Sequence, residues 1–288
     1  MVETNLCIGI IIILFVFLMH KENHHLTVSK YKIHSDKLPA EFDNVKIVLL
    51  TDLHNNSFGK NNEHLLRRIR NEHPDYIMVA GDMLIGHNKA DYYDTLNLLE
   101  TLSKEFGIYY VNGNHEQKLA EGEETKDTIY KEYHDILAAY GIHFVHNKTI
   151  KIKRKDATIN VTGLEIASDY YNKINRPEMT NEYIKKCIGR CDPKTYTILL
   201  AHNPMYFNYY ADWGADLVLS GHVHGGIMRL PFLGGVISPQ YILFPHFDSG
   251  RFELNSSTML LSRGLGVHTI KIRIFNRPEI MVFTLNKE

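Results

Sequence analysis

The sequence predicts an α/β domain, and three observations carry that prediction. From about Val45 onward, short apolar runs of strand length alternate with longer stretches of helical period. The apolar runs read as buried strands. Five of them end in a polar cluster containing Asp, Asn or His, and in open α/β sheets ligands gather outside the carboxyl ends of the strands.

Val45 to Thr51 is the first predicted strand, ending in Asp52-Leu53-His54-Asn55-Asn56. Asn62 to His73 then reads as an amphipathic helix stopped by Pro74. The strand Tyr76 to Ala80 delivers Gly81-Asp82, and a helix follows over Asp91 to Lys104. After Gly107, the strand Ile108 to Val111 leads into the polar loop Asn112-Gly113-Asn114-His115-Glu116. Glu123 to Tyr140 is a long helix closed by Gly141, where a left-handed C-terminal cap suits glycine. Ile142 to Val145 is a short strand, and Thr149 to Lys153 with Thr158 to Gly163 form a hairpin across Arg154-Lys155-Asp156. Glu178 to Arg190 is helical, and the strand Tyr196 to Leu200 delivers Ala201-His202-Asn203-Pro204. Asp216 to Leu219 is a buried strand leading into Ser220-Gly221-His222-Val223-His224-Gly225-Gly226. Beyond this the chain is mostly β, with Thr258 to Ser262 and Ile280 to Leu285 the clearest strands.

The 288 residues, 44% hydrophobic and 23% charged, suit one domain with an ample core. A formal net charge of -1 gives no general attraction to nucleic acid, so no nucleic-acid partner is expected. The three cysteines supply neither a disulfide framework nor a zinc-ligand set. Leu6 to Met19 is an uninterrupted apolar run, which with its flanks reaches the lower limit of a membrane-spanning helix. No basic segment precedes it and no small-residue cleavage site follows, so an uncleaved anchor is favoured over a signal peptide. Lys21, Lys30 and Lys32 follow the run and no Lys or Arg precedes it, which leans the catalytic domain toward the cytoplasmic face of the cell membrane. The expected organisation is an anchor at 1–22, a connecting segment at 23–44 and a catalytic domain at 45–288.

Each polar cluster alone has an ordinary explanation, since Asp52 could start a turn, Asp82 cap a helix and His202 sit satisfied in a core. Five together, all at strand ends and with four histidines beside the caps, exceed what capping needs. In His222-Val223-His224, the flanking glycines suggest a loop that aims both imidazoles at one place, which a strand could not do. Asp, Asn and His supply oxygen and borderline nitrogen ligands suited to Mn, Fe, Zn or Co. Two such ions, roughly 3.5 to 4 Å apart, can activate water and clamp the attacking and leaving oxygens of an in-line phosphoryl displacement.

The series Asp52-x-His54, Gly81-Asp82, Gly113-Asn114-His115-Glu116, His202 and Gly221-His222-Val223-His224 resembles the calcineurin-like metallophosphoesterase superfamily over residues 45 to 226. The tail, Ser262-Arg263-Gly264-Leu265-Gly266 through Asn276-Arg277-Pro278-Glu279-Ile280, with the N-terminal run, resembles its membrane-associated branch related to UDP-2,3-diacylglucosamine pyrophosphatase-type phosphodiesterases. The resemblance implies a four-layer α-β-β-α sandwich, preceded here by one N-terminal hydrophobic helix. It further implies that Asp52, His54, Asp82 and His224 hold one divalent ion and that Asp82, Asn114, His202 and His222 hold the other, with Asp82 bridging. His115 would be the general acid or transition-state stabiliser, and a metal-bridging hydroxide the nucleophile. The chain departs from the pattern at Ile85, where many relatives carry an Asp, so carboxylate support of His115 is in question; Val223 stands where Thr is frequent.

Arg229 and Arg263, just beyond motif loops, are candidates for a substrate phosphate. Lys151, Lys153, Arg154 and Lys155 read as a solvated charge run at a hairpin turn. His24, His25, His64, His73, His87, His134, His143, His146, His246 and His268 fall outside the pattern. The implied function is hydrolysis of phosphodiester or pyrophosphate bonds, with a lipid-linked or nucleotide-diphosphate substrate as the class suggested by the anchor and the branch resemblance. Rival readings are a metal-binding scaffold without turnover and a nuclease.

Overall fold

The computed structural model describes residues 19, 21–86, 92–122, 124–172, 174–226, 228–230, 232–237, 242–267 and 272–288. The apolar N-terminal run up to Leu18, together with His87 and His268, lies outside the described residues.

In chain order the first half contains β1 (Thr27–Ser35), β2 (Lys46–Leu50), α1 (Glu63–Glu72), β3 (Tyr76–Ala80), α2 (Tyr93–Ser103), β4 (Gly107–Val111), α3 (Asn114–Ala120), α4 (Glu124–Ala139) and β5 (His143–Phe144). The hairpin β6 (Lys148–Arg154) and β7 (Ala157–Leu164) follows, then α5 (Asn181–Ile188), β8 (Thr197–Ala201), α6 (Phe207–Trp213) and β9 (Leu217–Ser220). The last part is β10 (Arg229–Leu230), β11 (Gly234–Gly235), β12 (Gly250–Leu254), β13 (Ser257–Leu261) and β14 (Glu279–Lys287). One six-stranded sheet runs β1-β14-β2-β3-β4-β5 and the other β12-β13-β9-β8-β7-β6. β2, β3, β4 and β5 are mutually parallel, as are β7, β8, β9 and β13, so within each sheet these carboxyl ends share one edge.

The period-2 alternation of side chains divides each strand between two cores. Ile47, Leu49, Met78 and Val111 of the first sheet meet Val161, Ile198, Leu200 and Leu219 of the second in a core between the sheets. The opposite faces, Val48, Leu50, Ile77 and Val79, pack on Leu65 and Ile69 of α1, Leu98 and Leu102 of α2 and Leu137 of α4. Leu199 and Val218 pack on Ile184 of α5 and on Phe207, Tyr210 and Trp213 of α6. The result is the expected α-β-β-α layering, with every central strand apolar on both sides because both sides are covered. Full burial of each such aliphatic side chain stabilises by about 1.5–3 kcal/mol.

Two expectations are corrected. The segment 23–44 is more than a connector, because Thr27–Ser35 forms β1 in parallel register with β14 (Thr27 opposite Glu279, Ser35 opposite Lys287). It is an edge strand with mostly half-exposed side chains, so its apolar alternation is faint. The polar stretch after β4 is also not all loop, since α3 begins at Asn114 itself.

Candidate metal centre

The seven residues expected to bind metal all leave carboxyl ends of central strands: Asp52 and His54 after β2, Asp82 after β3, Asn114 after β4, His202 after β8, and His222 and His224 after β9. Backbone bonds fix these loops against one another. Asp52 N–H donates to Gly81 O at 2.9 Å, His54 N–H to Asp82 O at 3.1 Å, and Gly221 N–H to His202 O at 3.1 Å. His222 N–H donates to Asp52 Oδ1 at 3.0 Å, which joins the two sheets across the cleft.

Five of the seven sit at positive φ: Asp52 (51°), His54 (51°), Asp82 (55°), His222 (75°) and His224 (53°). Each such residue costs of order 1–3 kcal/mol and persists only where the surroundings over-determine it, and strain of this kind clusters at functional sites. Here it solves the geometric problem of His-Val-His, because the left-handed residues turn both imidazoles into the cleft while Val223 is buried. The neighbouring glycines are needed for close approach. A Cβ on Gly113 would stand 2.1 Å from Asp82 Oδ1, and one on Gly221 2.3 Å from Asp52 Oδ2.

The ligand atoms of Asp52, His54 and His224 lie within 4.8 Å of one another, as do those of Asp82, His202 and His222. A third such group contains His54, Asp82 and His115, so His115 stands against the ligand cluster as well. Tautomers follow from the outer partners. His202 Nδ1 faces Ala80 O at 2.7 Å, His224 Nδ1 faces Gly266 O at 3.1 Å and His54 Nδ1 faces Leu84 O at 3.4 Å. A carbonyl only accepts, so Nδ1 carries the proton and Nε2 presents a lone pair, the arrangement typical of metal-ligating histidines. His54 Nε2 and His224 Nε2 then face each other at 3.2 Å. His224 Nε2 also lies 3.6 Å from Asp52 Oδ1, and His202 Nε2 3.0 Å from Asp82 Oδ2. Asn114 Oδ1 is buried without a hydrogen-bond partner.

Acceptors converge on acceptors in a buried cleft, so the donor set fits divalent cations. The charges respond accordingly. Burial pushes the Asp52 carboxyl up to about 6, with His202 opposing. Burial acts in the same sense on Asp82, but His202, His115 and His54 hold it well below the usual carboxylate range. Burial lowers His202, yet Asp82 and Asp52 outweigh this and raise it to about 9.

The structure answers the question raised by Ile85. Gly86 N–H donates to His115 Nδ1 at 2.9 Å, so a backbone amide stands where a supporting carboxylate was looked for. Nε2 then carries the ring proton, and the imidazole is held as a neutral donor.

Glu116, Arg273 and Asn276 are supporting residues that sequence reasoning left unassigned. Glu116 is fully buried and its carboxylate accepts from Asp82 N–H (2.9 Å), Leu84 N–H (2.9 Å), Gly113 N–H (3.0 Å) and the Tyr110 hydroxyl (3.0 Å). It ties the β3 and β4 loops together; its place beside Asn114-His115 was the available sign. Arg273, 1% exposed, donates to Gly266 O at 2.7 Å and Arg263 O at 3.0 Å, bracing the carbonyl that orients His224. Asn276 Nδ2 donates to His224 O at 2.7 Å. Arg229 and Arg263 serve the rim instead of joining the ligand cluster. Arg229 pairs with Asp248 at 3.0 Å and donates to Gly225 O at 3.1 Å, and Arg263 pairs with Glu279 at 3.1 Å.

Comparison with known proteins adds to this geometry. The calcineurin-like phosphoesterase family matches residues 45–226. An uncharacterized metallophosphoesterase of Bacillus subtilis, YkuE, is 28% identical over 92% of this chain and 87% of its own. A Danio rerio transmembrane protein with metallophosphoesterase domain is 26% identical over 88% of this chain and 55% of its own. Among solved structures, the phosphopantetheinyl hydrolase PptH of Mycobacterium tuberculosis is 12% identical, covers 76% of this chain and 89% of its own, and has a TM-score of 0.45.

Proposed function

We propose that this chain, which belongs to the calcineurin-like phosphoesterase family and is a metal-dependent phosphoester hydrolase, works as a dinuclear enzyme on phosphodiester or pyrophosphate bonds. The observation that carries the reading is the buried set of mutually facing acceptors: His54 and His224 Nε2 at 3.2 Å, with Asp52, Asp82, His202 and the orphaned Asn114 Oδ1 around them. Asp52, His54 and His224 would hold one ion, and Asn114, His202 and His222 the other. Asp82, within ligand distance of both His54 and His202, would be shared. When bound, such ions supply a nucleophile drawn from water at neutral pH and neutralise phosphoryl charge.

The chain's own groups do the rest. His115, oriented by the Gly86 N–H on its Nδ1, would donate a hydrogen bond from Nε2 to a phosphoryl or leaving oxygen, where it stabilises developing charge. That geometry favours the stabiliser role over wholesale proton delivery, because Nδ1 is already engaged by an N–H donor. The His115 main-chain N–H donates to Asp82 Oδ1 at 2.8 Å, which locks the shared carboxylate to the helix that presents His115.

A membrane site belongs to the same proposal. Its support is the apolar run Leu6 to Met19 and relatives named transmembrane proteins. No helix among the described residues is long and apolar enough to cross a membrane, and the run up to Leu18 lies outside them. The lysines after the run support a cytoplasmic domain. The tail motifs support a lipid-linked or nucleotide-diphosphate substrate. The test is a panel of phosphomonoesters, phosphodiesters and nucleotide-diphosphate sugars, run with Mn, Fe, Zn and Co and with Asp82→Asn as control. Diester or pyrophosphate hydrolysis that is metal-dependent and lost in the variant is the expected result. Turnover of monoesters alone contradicts the bond class, and metal binding with no turnover returns the scaffold reading.

A further inference from the structure

We propose that the rim of the metal cleft is a docking surface for an anionic phospholipid bilayer, so that the cleft opens onto the headgroup layer. The inference uses the metallophosphoesterase reading only for what enters the cleft; the docking itself rests on where three separate features emerge.

The first is topology. β14 is antiparallel to β2, and β1 is parallel to β14, so β1 begins at the edge where β2, β3 and β4 end. Thr27, its first residue, donates to Pro278 O at 2.8 Å there, and residues 21–24 ahead of it are helical and tied to the same rim by Glu22 on Arg277 at 3.0 Å. The apolar run ending at Met19 is therefore joined to the domain on the metal side.

The second feature is apolar and lies on loops hung from the metal ligands. Phe232 is fully exposed, and Leu233, Leu243, Phe244 and Phe275 are each more than half exposed. The strand pair carrying Phe232 and Leu233 at its turn is bound to Gly225 O through Arg229, Phe244 N–H donates to Val236 O, and Phe275 adjoins the Asn276 that holds the His224 carbonyl. Large apolar side chains clustered on a rim mark an interaction surface, where singly scattered ones need no explanation.

The third is cationic. A cavity of about 330 Å³ is lined by His24, His25, Leu26, Phe58, His64, Arg67 and Arg68, between the residues just after the apolar run and the first turns of α1. Arg67 and Arg68 are exposed, and α1 follows β2, so the cavity stands on the same edge as the cleft. Apolar side chains that enter the acyl boundary, beside cations that meet phosphate headgroups, are the complement of an anionic lipid surface. A protein partner would account for the apolar loops but not for a membrane-competent run joined to the same rim.

The test uses the full chain reconstituted in vesicles. Trp213, the single native tryptophan, is buried against α5 and the second sheet and serves as the internal reference. Phe232→Trp, and separately Leu243→Trp, should each add an emission that is blue-shifted and quenched by lipids brominated in the upper acyl chain of phosphatidylglycerol vesicles. Adding Arg67→Glu with Arg68→Glu should bring that quenching down to the level seen in phosphatidylcholine vesicles. The proposal is overturned if both new tryptophans are quenched no more than Trp213. It is equally overturned by a lipid-independent blue shift that grows with protein concentration, which marks contact between copies of the chain. Turnover of soluble bis-p-nitrophenyl phosphate in the same samples separates the two readings. Quenching without turnover leaves docking standing and removes the hydrolase, and turnover without quenching does the reverse.

Discussion

Asp82 links three parts of the site: one oxygen takes the His115 main-chain N–H and the other faces His202 and His54. Replacing it with Asn removes the negative charge while keeping the shape, so Asp82→Asn should lose bound metal and turnover together, read by elemental analysis and a diester assay. Retained metal with full activity contradicts the assignment. His115 differs, because its Nδ1 is engaged by Gly86. His115→Ala should keep the metal and slow turnover by about 100 to 1,000-fold, the usual worth of one preorganised hydrogen-bond donor. Glu116 uses both oxygens to accept four donors. Glu116→Gln turns one of them into a donor facing donors, and should lower stability by about 1–3 kcal/mol in a denaturant melt. At this scale the residues that gather in the cleft were legible as a group, since Asp, Asn and His at strand ends have little other reason to cluster. What spacing could not show were the carbonyls that set the histidine tautomers, because these come from Ala80, Leu84 and Gly266 through backbone geometry alone.

The loops gain their precision from short strands buried on both sides. Gly221 is a direct case, since a methyl group there would stand 2.3 Å from Asp52 Oδ2. Gly221→Ala should therefore displace that carboxylate and, on the proposed assignment, weaken an ion at Asp52, His54 and His224 more than one at Asn114, His202 and His222, seen as a lower metal count in a folded protein. Leu200 lies between the sheets one residue before Ala201-His202, and Leu200→Ala should destabilise by about 2–5 kcal/mol in the same melt. The central strands could be read from sequence within a residue or two, because continuous apolar runs bounded by Gly and Asp admit few other readings. β1 was missed because Val28, Tyr31 and Ile33 alternate poorly and half the strand faces water. α6 was missed because Phe207 to Trp213 is short and aromatic, and packing on β8 and β9 supplies what helix propensity does not.

Across the whole molecule, two sheets press their inner faces together and bring the carboxyl ends of β2, β3 and β4 against those of β8 and β9. No single sheet contains the site. The His222 N–H to Asp52 and His202 to Ala80 bonds join the halves beside the site, so metal binding should raise the stability of the whole sandwich, and chelation should lower the melting temperature. The layered architecture was legible as the implication of a residue series, while the pairing of the rim with the N-terminal run appears only once β1 is placed beside β14. The central claim is that two ions act together in one cleft. Titrating metal-free protein with Mn, Fe, Zn or Co while following diester hydrolysis tests it most directly. Activity should rise until two ions are bound per chain, with His222→Ala and His224→Ala each losing a different one. Full turnover at a single ion per chain, or no turnover with any of these metals, would contradict it.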